Sequence, residues 1–307
     1  LSFNINYAIS GFKEWSYHVF NITFHLLVVV LIYRLAKLIA SHMSEGTTSL
    51  VKVPAQMPLL AASIFAVHPL NTQAVTYISS RSSILATIFY LITIIFFIEG
   101  LYKKKDEEAK TNYVFIVGAV IFFGLGFLCK LIVVSLPGIL FVYHYYFISN
   151  HNLQTWLKQQ WKWIIGVGGL LFTTLLLKKI YGDGLLRASI VDVTTWDYFR
   201  TQLGVIPLEY FRKMLFPFNL TIDTNFQVVQ QWRSLVAIGG LIILGVFSLV
   251  WIKLSQVKKQ SKKYGPEAFG LIWILITLSP TSSFIPLLDM AAEHRTYLPL
   301  VGFSIFL

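Results

Sequence analysis

A chain of 307 residues with 56% hydrophobic, 16% aromatic and only 13% charged side chains, at a mean hydropathy of +0.67, is too apolar for an ordinary soluble domain. Its single cysteine, Cys129, excludes an intrachain disulfide and a cysteine-based metal site, and the motif HExxH does not occur. The net charge of +11 would suit a nucleic-acid binder, but the basic residues sit in short loops between apolar runs, where they orient spans and meet lipid headgroups; no nucleic-acid partner is expected.

In chain order, apolar runs at about 17–40, 50–67, 83–101, 113–129, 131–149, 162–180, 233–252 and 267–285 are each long enough for roughly 30 Å of hydrocarbon, and another begins near Tyr297. Only helices satisfy a lipid-exposed backbone, so the fold class is an all-α polytopic membrane bundle with about 9 spans. Residues 200–216 read differently. Pro207, Glu209, Arg212 and Lys213 would be placed at depth, each charge costing ~2.5 to 3.5 kcal/mol, so this stretch is expected to be re-entrant or interfacial. No 34-residue repeat occurs.

Orientation follows from lysine and arginine. Arg34, Lys37 and Lys52, Lys103 to Lys105 with Lys110, Lys158 and Lys162, and the lysines from Lys253 to Lys263 read as cytoplasmic. Threading the spans through those loops brings four polar tracts to the other, outer side: HPLNTQAVTYISSR (His68 to Arg81), the Lys130 corner, PFNLTID (Pro217 to Asp223) and AAEHRTYLPLVG (Ala291 to Gly302).

Each tract has a plain explanation beside a functional one. His18, Asn21 and His25 share a helix face, which suits buried interhelical hydrogen bonds as well as substrate contact. Arg81 and His68 flank a short hairpin, where snorkelling and capping compete with anion binding. Lys130 has no acid near it in sequence, which favours a headgroup or phosphate. Asn219 and Asp223 suit either a polar turn or a sugar contact. Glu293, His294 and Arg295 could pair among themselves. Three ionisable groups in a row at the mouth of an apolar helix point instead to a ligand. Residue types give no metal site, with a divalent cation left open.

Taken together and in order, YHxxNxxxH (Tyr17 to His25), HPLNTQAVTYISSR, CKLIVVSLP (Cys129 to Pro137), PFNLTID and SSFIPLLDMAAEHRTYLPLVG (Ser282 to Gly302) resemble the membrane part of bacterial tetratricopeptide-repeat glycosyltransferases and of their eukaryotic relatives, the transmembrane O-mannosyltransferases with tetratricopeptide repeats. The resemblance implies a GT-C fold and an enzyme that moves a sugar from a polyprenyl-phosphate carrier to a protein or glycan acceptor on the outer face. Residues 1–307 would then be a truncated membrane domain, in a bacterial inner membrane or, alternatively, an endoplasmic reticulum. A first outer loop carrying the main catalytic acid is expected ahead of Leu1, and a repeat domain after Leu307. Where many members have an acid after the lysine, this chain has Leu131.

On that basis the donor phosphate falls to Arg81, Lys130, His294 and Arg295, and substrate contacts to His18, His25, His68, Gln73, Asn219, Asp289 and Tyr297. Glu293 and Asp223 are the candidate catalytic acids within the chain. Transfer needs a base for the acceptor hydroxyl and fixed cations for the leaving phosphate. A lipid-linked sugar flippase or other transporter is the competing class; it would carry its polar groups near the midplane and show an internal repeat.

Overall fold

The computed structural model describes residues 1–45, 54–101, 112–148, 193–222, 224, 226–232, 234–257, 265–287 and 289–307. The expected span at 162–180, Asp223, and the lysines at 52, 103–105, 110, 158, 162, 258, 259, 262 and 263 lie outside the described residues.

A short helix α1 (Ser2–Ser10) turns at Gly11, whose φ of 59° lies in the left-handed region that glycine enters without steric cost, into the long α2 (Glu14–Glu45). Then come α3 (Met57–Val67), the single-turn α4 (Thr72–Thr76), α5 (Arg81–Leu101), α6 (Tyr113–Cys129) and α7 (Leu131–Ile148), which opens as a 3-10 turn and closes as a π turn. Helix α8 runs through Thr195–Val205, a π turn at Ile206–Phe211 and a last turn at Arg212–Leu215. Three apolar helices complete the chain: α9 (Leu235–Val257), α10 (Gly265–Leu278) and α11 (Tyr297–Phe306).

Four helices are long and apolar enough to cross a membrane, at Glu14–Met43, Ile78–Leu101, Leu131–Ile148 and Leu235–Lys253. Helices α3, α6 and α10 are apolar but shorter. No strand occurs among the described residues, only an antiparallel bridge between Thr224 and Ala291. The protein is an all-α, membrane-type bundle.

Packing follows side-chain size. Helices α10 and α11 cross so closely at Gly270 and Gly302 that a Cβ on either would run into the other's backbone. Just beside that crossing the Trp273 indole donates to the Leu298 carbonyl at 3.0 Å and stands edge-on to Tyr90, whose hydroxyl meets Ser135 at 3.1 Å. These aromatic groups are fully buried with their polar ends satisfied, fixing α5, α7, α10 and α11 in one register.

Pro207 does not end its helix. The chain widens to a π turn, which absorbs the missing N–H and the ring, and continues to Leu215. Both ends of α8 reach the segment between α10 and α11. Tyr198 donates to the Thr281 carbonyl at 2.7 Å and Gln202 to the Met290 carbonyl at 2.8 Å, while Lys213 reaches Glu293 at 2.9 Å. The helix therefore lies along that tract rather than leading away from it.

Candidate functional site

The polar tracts meet at the end of the bundle where α3, α6 and α10 finish and α5, α7 and α11 start. The residues from Glu293 to Thr296 form a 3-10 turn that feeds α11, so successive side chains fan out in different directions. Glu293 turns one way and His294 and Arg295 another.

Glu293 is buried, and its Oε1 accepts both the Lys213 ammonium at 2.9 Å and the Thr221 amide at 2.8 Å. Lys213, also buried, meets Glu209 at 2.7 Å. Burial alone would lower the Lys213 pKa, but hydrogen bonds and charge from Glu209 and Glu293 outweigh it and raise it, so the lysine stays charged. The pairing of Glu293 with His294 or Arg295 that adjacency allowed is not made. Its carboxylate instead fastens the 217–222 turn, where Asn219 is exposed at φ 57° as a left-handed turn residue. Gln73 adds a second fastening: its amide donates to the Ile222 carbonyl at 2.5 Å and accepts the His294 amide at 2.5 Å.

Arg295 is buried with few partners. One terminal nitrogen donates to the Asp289 carbonyl at 2.8 Å, and the other reaches the Tyr198 hydroxyl at 3.5 Å, a marginal contact. Asp289 itself is exposed. Lys130, half-buried at the corner between α6 and α7, gives one hydrogen bond, to Ser83 Oγ at 2.6 Å. Burial and then the charge of Arg295 pull its pKa down to about 7. His294 feels all three effects: burial, then Lys130, then Arg295 push it down to about 3, so its imidazole is neutral. Among the described residues neither Lys130 nor Arg295 has a carboxylate within 4.0 Å. Lys130, His294 and Arg295 thus form a positive centre whose N–H groups outnumber the acceptors that the described residues bring to them.

Other expected contacts are engaged elsewhere. Arg81 was grouped with the phosphate ligands by its place in the hairpin, but its guanidinium donates to Asn21 Oδ1 at 2.7 Å, Asn6 Oδ1 at 2.8 Å and the Tyr17 carbonyl at 3.1 Å, with the Phe3 ring 4.4 Å away. Neutral oxygens and aromatic faces leave this buried cation little to offer a ligand. His25 is likewise structural: Nε2 donates to the Ala66 carbonyl at 3.2 Å and Nδ1 meets the Tyr297 hydroxyl at 2.7 Å, which occupies Tyr297 as well. His68 accepts the Leu70 amide at Nδ1 and donates from Nε2 to the Met214 carbonyl at 3.0 Å, tying α3 to the end of α8; burial lowers its pKa, partly offset by that bond. His18 is half-buried and lines a shallow apolar groove with Phe3, Tyr77 and Ile78, apart from Arg295.

Tyr198, Gln202, Thr221 and Ser83 were not among the expected site residues. Thr221 lies in a tract the sequence places at this end and Ser83 begins the span after another, whereas Tyr198 precedes the 200–216 stretch and Gln202 lies within it; only their partners, 47 to 97 residues away, reveal all four. Among the described residues no group of three His, Cys, Asp or Glu side chains could hold a metal ion.

The fold and this end of the bundle define a helical membrane protein with a buried cationic centre. Residues 3–177 match the dolichyl-phosphate-mannose-protein mannosyltransferase family, more than half of the chain, and the chain belongs to that family. Its relatives include protein O-mannosyl-transferase TMTC3 of Homo sapiens, 23% identical over 99% of this chain and 34% of the relative, and protein O-mannosyl-transferase TMTC4 of Mus musculus, 25% identical over 100% of this chain and 46% of the relative. Protein O-mannosyl-transferase Tmtc2 of Drosophila melanogaster is 29% identical over 42% of this chain. The chain thus spans between a third and a half of the length of the first two. No solved structure matches it.

Proposed function

We propose that this chain is the membrane part of a GT-C glycosyltransferase that transfers a sugar, mannose by the names of its relatives, from a polyprenyl-phosphate carrier to a protein hydroxyl on the outer face. The observation that carries this reading is the positive centre of Lys130, His294 and Arg295, which has hydrogen-bond donors to spare and, among the described residues, no carboxylate within ion-pair reach of Lys130 or Arg295. A phosphate leaving group supplies what the centre lacks. As the acceptor oxygen attacks the anomeric carbon, the bond from that carbon to the phosphate oxygen breaks and negative charge gathers on the phosphate, where fixed cations stabilise it most. Arg295 can present two parallel donors to phosphate oxygens; Lys130 adds a point charge, and neutral His294 a single N–H.

The acceptor proton needs a carboxylate. Glu293, held by Lys213 and the Thr221 amide, is better placed to orient the 217–222 turn than to take a proton. The base is assigned to an acid of the outer loop expected ahead of Leu1, with Asp223 as the in-chain candidate. The centre's position at one end of the helices, rather than midway along them, supports transfer over transport.

The test is sugar transfer from a polyprenyl-phosphate donor by the full-length enzyme in membranes. Arg295→Ala should cost about 100-fold in rate, and Arg295→Lys should recover only part of it. An unchanged rate for Arg295→Ala, at equal folded amounts, removes Arg295 from the site.

A further inference from the structure

The first turns of α8 present aromatic rings on their outward side. Trp196 and Phe199 meet Phe284, from the segment after α10, and Phe199 also meets Trp232, from the segment before α9. Phe284 stacks on Phe199 at 4.4 Å and 8°, Trp196 stands edge-on to Phe284 at 6.0 Å, and Trp232 closes the row against Phe199 at 6.2 Å. Phe199 is half-buried, but Trp196 is 59% exposed, Phe284 49% and Trp232 45%. Two buried hydrogen bonds hold the three segments together beneath the rings: Tyr198 donates to the Thr281 carbonyl at 2.7 Å, and the Val229 amide donates to Thr201 Oγ1 at 2.9 Å.

Hydrocarbon is a poor match for this surface. The side of α9 exposed at Leu241, Ile242, Val246 and Leu249, on a helix long and apolar enough to span, shows what this protein offers to lipid: aliphatic chains and no charge. Beside the rings of α8 stand Thr194, Thr195, Asp197 and Arg200 instead. Asp197 and Arg200 pair with each other, and the Arg200 guanidinium lies 5.5 Å from the centre of the Trp232 ring. The described residues thus give the row aromatic faces, a polar rim and no net charge. Charge facing lipid is rare. Rings set in a polar rim are how proteins hold extended, hydrated chains, since a rigid ring gives contact area at little cost in side-chain entropy. With the one cation of the row matched by its own aspartate, an anionic partner gains nothing here and an uncharged polypeptide loses nothing.

The row also adjoins the positive centre. Tyr198 lies between Trp196 and Phe199 in the same turn of α8, on its buried side, with its hydroxyl 3.5 Å from the Arg295 guanidinium. The width of one helix, roughly 10 Å, separates the two, a distance that about three residues of extended chain cover. We propose that the row is an acceptor platform: an extended, uncharged polypeptide segment rich in threonine and proline lies across Trp196, Phe284, Phe199 and Trp232 and passes a hydroxyl to the positive centre. Proline suits the rings, because its own ring packs on aromatic faces and its fixed φ keeps the chain extended before it binds. Threonine supplies the hydroxyl. The platform rests on the sugar-transfer reading for its purpose, but its occupation needs no sugar donor, so the two can fail separately.

The experiment uses the full-length enzyme in phosphatidylcholine nanodiscs, without sugar donor, and a fluorescein-labelled peptide of alternating threonine and proline, with binding read by fluorescence polarisation. The wild type should bind it, Trp196→Ala and Trp232→Ala should each weaken binding about 10-fold, and Trp196→Tyr should keep most of it. With a polyprenyl-phosphate donor added, the loss should appear as a higher KM for the peptide rather than a lower kcat. A wild type that does not bind the peptide, or alanine variants that bind it equally well, would overturn the platform. Binding that depends on the two tryptophans in an enzyme that transfers no sugar would leave the peptide site standing and sink the sugar-transfer reading instead. The fluorescence that disappears in Trp196→Phe should be quenched by iodide in the wild type; quenching by brominated phosphatidylcholine in its place would put the row in the leaflet and overturn the proposal. Both tryptophans are exposed, so the variants should fold.

Discussion

Two buried arginines stand at the same end of this bundle and have opposite surroundings. Arg81 is met by Asn6, Asn21, the Tyr17 carbonyl and the Phe3 ring; Arg295, beside Lys130 and His294, has one firm acceptor, the Asp289 carbonyl. A cation whose donors are matched by neutral oxygens builds structure, while one packed among like charge awaits an anion. What separates the two is the number of acceptors that folding brings to each.

The sharpest break of this comparison lies in the ion group nearby. Lys213→Met leaves the Glu209 and Glu293 carboxylates together without their cation and should cost about 3–5 kcal/mol, read as loss of folded protein in a thermal scan in detergent. Arg81→Lys comes next. A point charge cannot serve Asn6, Asn21 and the Tyr17 carbonyl at once, so the midpoint should fall while transfer per folded molecule stays as in the wild type. Arg295→Ala should do the reverse, with little change in midpoint and the large loss of rate given above. If Arg81→Lys slowed turnover and Arg295→Ala only destabilised, the roles would be exchanged.

Titration gives smaller effects. Lys130, held down to about 7, loses its charge as pH rises through neutrality, so binding of inorganic pyrophosphate by calorimetry should weaken from pH 6 to 8. With Lys130→Arg that slope should flatten, because a guanidinium stays charged throughout. His294 acts on stability. Its folded pKa of about 3 lies below the ordinary 6.5, so as pH falls from 6.5 towards 3 the unfolded chain takes up a proton that the folded chain does not. Its stabilising contribution is whole above pH 6.5 and fades through that window, and His294→Gln should remove this part of the acid slope in midpoint against pH.

The apolar helices were legible in the sequence because they rest on local signals. Apolar runs place α2, α3, α5, α6, α7, α9 and α10, and the charges of 200–216 mark α8 as a helix of another kind, although its π turn at Pro207 was not foreseen. The gathering of His68, Lys130 and Arg295 at one end also follows from connectivity. Pairing was not legible. Arg81 finds Asn6 and Asn21 at separations of 75 and 60 residues, Glu293 finds Lys213 at 80, and His25 finds Tyr297 at 272. Whether a polar residue in a span has a partner depends on helix rotation and depth, which no periodicity encodes. Arg81, His25 and His68 looked like ligands for that reason.

The Gln73 amide joins a carbonyl 149 residues away to an N–H 221 residues away, through one side chain. Contacts of such span close only after the intervening helices have inserted and packed, since the entropy of closing the loop must be met before the bond rewards it. The positive centre is therefore assembled late. A damaged Gln73 should leave insertion and helix content untouched and appear only as a slack turn beside Arg295, so a variant there can pass every test of folding and still be an incompletely built protein.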